Sequence, residues 1–198
     1  NGVDRREAGI DQLARLARSR GGDLLPAIPE AKRLMWHDAP PVRVRTDSIS
    51  SDSAAARIAT QFGPYVDADD GQGAEALVAR YLDQLTPDAR TEWQQRVAWL
   101  YYLAGDDGNA RRLAARAQQG SGQWAAQADW VQGLASWRQK DCRTAQSAFQ
   151  GVAERATDVE LRSAGLYWAS RADIACGRPD LVERRLQSAA QYDETFYG

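Results

Sequence analysis

The sequence predicts an all-α fold, a right-handed superhelix (α-solenoid) of stacked helical hairpins. Three observations predict it. Apolar residues recur at i, i+3 and i+4 through most of the 198-residue chain, and nothing between Ser51 and Gly198 alternates long enough to make a strand. Turn signals at Gly105-Asp106, Lys140-Asp141 and Gly177-Arg178 fall 35 and 37 residues apart. After these turns Ala110, Ala145 and Val182 stand at similar offsets, each followed four residues later by Ala114, Phe149 or Leu186. A helix-turn-helix of about 34 residues is the tetratricopeptide-type period, and such hairpins stack because none buries its apolar face alone.

Two regions follow, an N-terminal helix with an irregular Pro-rich linker over 1–50 and the α-solenoid over 51–198. Ile10, Leu13, Leu16 and Ala17 share one helix face, and Gly21-Gly22 ends that helix. Pro26, Pro29, Pro40 and Pro41 punctuate the linker, with one short helix around Glu30 to Trp36 and a brief alternation at Val42-Arg43-Val44-Arg45. Asp52 or Ser53 caps a helix through Phe62, where Gly63-Pro64 is expected to stop it. Ala76, Leu77, Ala79, Arg80, Tyr81 and Leu82 form the next helix. Thr86-Pro87 then starts one with a cap and a Pro at its first position, carried through Trp93, Val97 and Leu100 to Leu103. Its return partner runs from Asn109 to Gln118, and further pairs cover 124–139 with 142–153 and 159–175 with 180–192. Trp99, Trp130, Trp137, Tyr167 and Trp168 all fall on first helices, where bulky side chains fill the groove against the next hairpin.

Composition excludes several functions. Basic and acidic residues nearly cancel (25 against 27, net −2), so no overall field draws the chain to nucleic acid. Only Lys32 and Lys140 are lysine, the other 23 basic residues being arginine. The longest strongly apolar stretch, 97–104, is far short of the ~20 residues of a membrane span, and the first residues lack the apolar core of a secretory signal. One histidine, His37, cannot build a multi-His zinc site, and beside Trp36 and a Pro-Pro turn it reads as a packing or surface residue rather than a catalytic one. No G-x-S-x-G, C-x-x-C, G-x-G-x-x-G or G-x-x-x-x-G-K-[ST] occurs, so no cofactor is expected.

The C-terminal half carries a more specific pattern. Trp130-Val131-Gln132-Gly133-Leu134-Ala135-Ser136-Trp137, with Lys140-Asp141, Ala145 and Ala148-Phe149, resembles one hairpin of the superhelical domain in soluble lytic murein transglycosylases. Gly165-Leu166-Tyr167-Trp168-Ala169-Ser170-Arg171-Ala172 with Gly177-Arg178-Pro179 is similar to that family's next hairpin. Leu186 to Ala190 with Thr195-Phe196-Tyr197-Gly198 matches the family's exit from the superhelix. The resemblance covers 124–198; over 52–123 it is architectural only, and 1–50 shows none.

The resemblance implies a periplasmic parent that cleaves the β-1,4 bond between N-acetylmuramic acid and N-acetylglucosamine, leaving a 1,6-anhydro product. That family uses one Glu within a Glu-Ser motif, with a Gly-Leu-Met-Gln stretch nearby. Here none of the eight Glu precedes Ser, and the only Met, Met35, lies in Arg33-Leu34-Met35-Trp36. No catalytic residue carries over, and the chain is expected to be inactive alone. The implied role is to position murein glycan strands or the parent's own C-terminal catalytic domain, which would follow Gly198. The alternative is a tetratricopeptide-like adaptor that binds a protein or peptide in its concave groove.

Candidate contacts follow from the same frame. Arg111, Arg112, Arg116, Arg184 and Arg185 could line a concave face for peptidoglycan carboxylates, or form solvated helix faces. Glu154 and Glu183 sit among arginines, which lower a carboxyl pKa where a general acid needs it raised. The Trp set offers ring faces to sugars, although hairpin packing is the default at helical spacing. Cys142 opens a second helix after one turn and Cys176 closes a first helix before the next. Neighbouring turns about 10 Å apart would need a local approach within about 7 Å for a disulfide, which the implied oxidising periplasm permits; otherwise both are buried thiols.

Overall fold

A computed structural model describes residues 53–197, and these are all-α, with no strand among the described residues. The chain divides into two units, Asn1–Ser51 and Asp52–Gly198. The elements expected over 1–50, and His37, lie outside the described residues. The helices are α1 (Ser53–Asp67), α2 (Gly71–Ala79), α3 (Pro87–Leu103), α4 (Asp107–Ala117), α5 (Gly122–Arg138), α6 (Cys142–Arg155), α7 (Val159–Ala175) and α8 (Val182–Ala189), with 3-10 turns at Leu82–Gln84 and Pro179–Leu181.

One turn motif recurs four times. Asp69, Gly105, Lys140 and Gly177 take left-handed φ values of 55°, 85°, 60° and 71°. The amide of the following residue donates back into the helix, at 2.9 Å from Asp70 to Tyr65, Asp106 to Tyr101 and Asp141 to Ser136, and at 2.8 Å from Arg178 to Asp173. This is a Schellman C-cap, and its spacing extends the repeat one hairpin earlier than the sequence signals did. In the first three turns the same Asp also starts the next helix. Asp70, Asp106 and Asp141 accept from the amides of Gly73, Asn109 and Thr144 at 2.8, 3.0 and 3.1 Å. Arg178 has no side-chain acceptor to offer, and a 3-10 turn intervenes before α8. The last helix is therefore shorter than the expected 180–192.

The sequence misleads most at α1, which continues through Gly63-Pro64 to Asp67. Pro64 removes one backbone bond at a cost of ~3 kcal/mol, and it is exposed. Ala54, Ile58, Phe62 and Val66 form a buried i, i+4 row spanning that position. Burying Phe62 and Val66 at roughly 1.5–3 kcal/mol each outweighs the Pro penalty.

Each second helix packs against the first helices on both sides, α4 between α3 and α5 and α6 between α5 and α7. Glycines set the close approaches. A Cβ on Gly165 of α7 would come within 2.8 Å of the Ala153 amide on α6, and one on Gly133 of α5 within 2.5 Å of the Phe149 ring. Phe149 is 0% exposed in a core of Ala145, Ala169 and Ala172, on which Trp130, Trp137 and Trp168 pack. Cys142, the first residue of α6, and Cys176, the C-cap of α7, are joined by a disulfide with Cα atoms 5.6 Å apart. Direct packing of α6 on α7 brings these turn residues closer than the general helix spacing suggests.

Candidate functional site

Phe62, Trp93 and Tyr101 of the first helices are buried, but five other aromatic residues there do not vanish into the core. Trp99, Trp130, Trp137, Tyr167 and Trp168 are all half-buried, so each keeps part of a ring at the surface. Trp168 organises the densest group. It meets Trp137 edge-on at 5.7 Å, Trp130 at 6.4 Å and Tyr167 at 6.2 Å, with Phe149 beneath it at 5.7 Å. Such offset and T-shaped pairs add about 0.5–1.5 kcal/mol beyond area burial and hold the rings in defined orientations.

The chain returns to this group after α8. The Phe196 amide donates to the Glu160 carboxylate at 3.1 Å, pinning the C-terminal segment against the start of α7. Tyr197 then lies 5.1 Å from Tyr167, and Phe196 stands 4.9 Å from Tyr197 and is 71% exposed. Burial pushes the Tyr197 phenol up, so it stays a neutral hydrogen-bonding group across the physiological range. At the other end of the strip the guanidinium of exposed Arg171 lies 5.3, 5.8 and 6.0 Å from the ring centres of Trp168, Trp137 and Tyr167.

The arginines singled out from the sequence do not converge. Arg111 and Arg112 are on α4, whereas Arg184 and Arg185 are on α8. Arg111 binds Asp141 at 2.8 Å and Gln139 at 2.6 Å. Arg112 clamps Glu75 through two bonds of 2.9 and 2.6 Å and lowers its pKa, while Tyr101, which also donates to Glu75, is raised by burial and by that carboxylate to about 12. Arg185 is spent on fully buried Asp173 at 2.6 Å and on Gln150. Arg116 and Arg184 are exposed. Arg171, Phe196 and Tyr197 were missed as site residues. The Tyr167/Trp168/Arg171 spacing of i+3 and i+4 was the available signal, whereas Trp137 and the C-terminal segment reach the site only through tertiary packing.

One carboxylate has the pKa of a general acid without its setting. Asp129 of α5 is 4% exposed, and burial raises it to about 6 against the opposing Arg155 charge, the Gln118 hydrogen bond working the same way as Arg155 and Glu154 adding to the rise. Its Oδ1 accepts from Gln118 at 2.6 Å and Oδ2 lies 3.3 Å from Arg155, where a Cβ on Gly151 would come within 2.7 Å. No leaving oxygen can reach it. Because its folded pKa exceeds the unfolded value near 3.9, its contribution is fully present below that value and lost as pH rises through about 6. Asp129→Asn is therefore expected to flatten the stability profile between about pH 4 and 6, because the titrating group is gone. Denaturant titrations across that range test it, and an unchanged slope refutes it.

Among the described residues no group of three or more His, Cys, Asp or Glu could hold a metal ion, and no helix is long and apolar enough to cross a membrane. No family model matches the chain, and no curated protein or solved structure matches it.

Proposed function

We propose that residues 51–198 are a right-handed α-solenoid of tetratricopeptide-like hairpins that acts without catalysis of its own, positioning murein glycan strands or a catalytic domain in a peptidoglycan-cleaving parent protein. The observation that carries this reading is the strip of half-exposed rings from Trp137 to Phe196, with Arg171 at one end. Aromatic faces match the CH faces of pyranose rings, and an amphipathic ring held at the surface costs little ordering when a sugar arrives. The four-fold turn motif supports the solenoid, and the disulfide Cys142–Cys176 supports the oxidising periplasm as its compartment.

Binding to purified sacculi is the direct test. The 198-residue chain is expected to co-sediment with sacculi and to release no anhydro-muropeptides. Failure to co-sediment overturns the positioning role.

A second reading has its own observation. The last hairpin carries an open groove lined by Ile174, Pro179, Val182, Leu186 and Ala190, with Glu183 and Gln187 also lining it and Ile174 60% exposed. Leu186 stands one repeat after Phe149, which α7 covers. That groove suits an adaptor that receives an amphipathic helix from a protein partner.

A further inference from the structure

Arginine is the commonest charged side chain here, and most described arginines at helix contacts already have a carboxylate. Arg96 pairs with Glu92, Arg111 with Asp141, Arg112 with Glu75, Arg138 with Asp107, Arg155 with Asp129, and both Arg178 and Arg185 with Asp173. Arg171 is held differently. It makes no hydrogen bond or ion pair with a described residue, and three rings from two helices fix its guanidinium instead. A guanidinium stacks on aromatic faces because it is planar, delocalised and weakly hydrated. Its five N–H donors meet no acceptor among the described residues.

Phe196 is anomalous in the complementary way. The Glu160 carboxylate anchors its backbone, yet its ring faces solvent beside the Tyr197 and Tyr167 rings. From Glu160 to Arg171 the strip runs roughly 16 Å along α7, at 1.5 Å per residue, long enough for several pyranose rings. Its ends differ in charge. Glu160 offers acceptor oxygens at one end and Arg171 offers donors at the other, so a bound ligand has a preferred direction.

We propose that this strip is a subsite for an acidic saccharide, with sugar CH faces on Phe196, Tyr197 and Tyr167 and a sugar-borne carboxylate paired to Arg171. The proposal rests on the glycan reading above for its polymer, and the ring-and-cation pattern supplies the ligand chemistry. A carboxylate fits because a bidentate guanidinium pair satisfies donors that no described residue satisfies. A saccharide fits the strip because aromatic rings complement pyranose CH faces, and the peptide probe below tests the other occupant.

The test is a calorimetric titration of the full chain with three probes: a disaccharide containing N-acetylmuramic acid, neutral chitotetraose, and an acidic peptide without sugar. The acidic disaccharide is expected to bind, with Arg171→Gln weakening it about tenfold or more and Phe196→Ala weakening both saccharides. Arg171→Gln should leave chitotetraose binding unchanged. Both side chains are exposed, and unchanged melting of each variant verifies that the fold is intact. Equal affinity of Arg171→Gln and the unaltered chain for the acidic disaccharide overturns the subsite, as does equal binding of the acidic peptide. Sacculus co-sedimentation of the same variant separates the two readings. If the unaltered chain and Arg171→Gln co-sediment equally and bind the disaccharide equally, the subsite falls and the positioning role stands. If neither co-sediments while disaccharide binding still depends on Arg171, the subsite stands and the murein role falls.

Discussion

Breaking the Cys142–Cys176 disulfide is expected to lower the melting temperature by roughly 10 °C, with the loss centred on the last two hairpins. The bridge joins residues 34 apart in the chain, and the loop-entropy relation gives about 3.8 kcal/mol for a loop of that length. The same stretch contains the whole of the α6–α7 contact and is flanked by two of the four recurrent turns, at Lys140 and Gly177. In the unfolded chain the bridge removes conformations; in the folded chain it joins residues that packing already brings to 5.6 Å. Cys142 is five residues beyond Trp137 and Cys176 five beyond Arg171, so the bridge also restrains the two elements whose side chains meet over the aromatic group. Thermal unfolding of the full chain with and without reductant gives the stability term, and a Cys142→Ser, Cys176→Ser double variant gives it without reductant. Thiol titration of the denatured chain should find no reactive thiol before reduction and two after it. An unchanged melting temperature on reduction refutes the expected contribution.

Local chemistry announced much of this molecule. Thr86-Pro87 starts α3 as read, because a capping hydroxyl and a Pro at the first helical position act within one turn of chain. Gly105, Lys140 and Gly177 mark turns because a Schellman cap needs a left-handed residue followed by a residue free to leave the helix. What escaped depends on distant partners. The end of α1 was misjudged because the burial of Phe62 and Val66, which carries the helix past Pro64, is a tertiary quantity. Neither a ligand-lining face nor a solvated one describes Arg111, Arg112 and Arg185, because their partners are far along the chain. Arg111 reaches Asp141 across 30 residues, Arg112 reaches Glu75 across 37, and Arg185 reaches Gln150 across 35. These separations lie near the repeat period itself. In a chain of stacked hairpins, a charged residue on a second helix should first be tested against acceptors one repeat away. Arg171, on a first helix, stands out because three aromatic rings hold its guanidinium.

Phe149→Ala is expected to cost about 4 kcal/mol, near the middle of the range for emptying a fully buried aromatic site. Phe149 is 0% exposed and its ring lies 5.5 Å from Trp130 and 5.7 Å from Trp168. Truncation opens a cavity between α5, α6 and α7 that the surrounding alanines, Ala145, Ala169 and Ala172, have no flexible atoms to fill. The effect should reach the aromatic strip, because Trp168 loses the ring beneath it and with it the orientation that fixes Arg171. Gly133→Ala probes the same contact with the opposite sign of volume. Its new Cβ would lie 2.5 Å from the Phe149 ring, so overpacking of about 1–3 kcal/mol should exceed the roughly 1 kcal/mol that alanine gains over glycine in a helix. Combining Gly133→Ala with Phe149→Leu should then be less destabilising than the sum of the single changes, because the shorter side chain vacates the space that the methyl group enters. Denaturant unfolding followed by tryptophan fluorescence measures all four variants. Strict additivity would show that the ring does not press on Gly133, and a Phe149→Ala cost below about 1 kcal/mol would show that the three helices close over the vacancy.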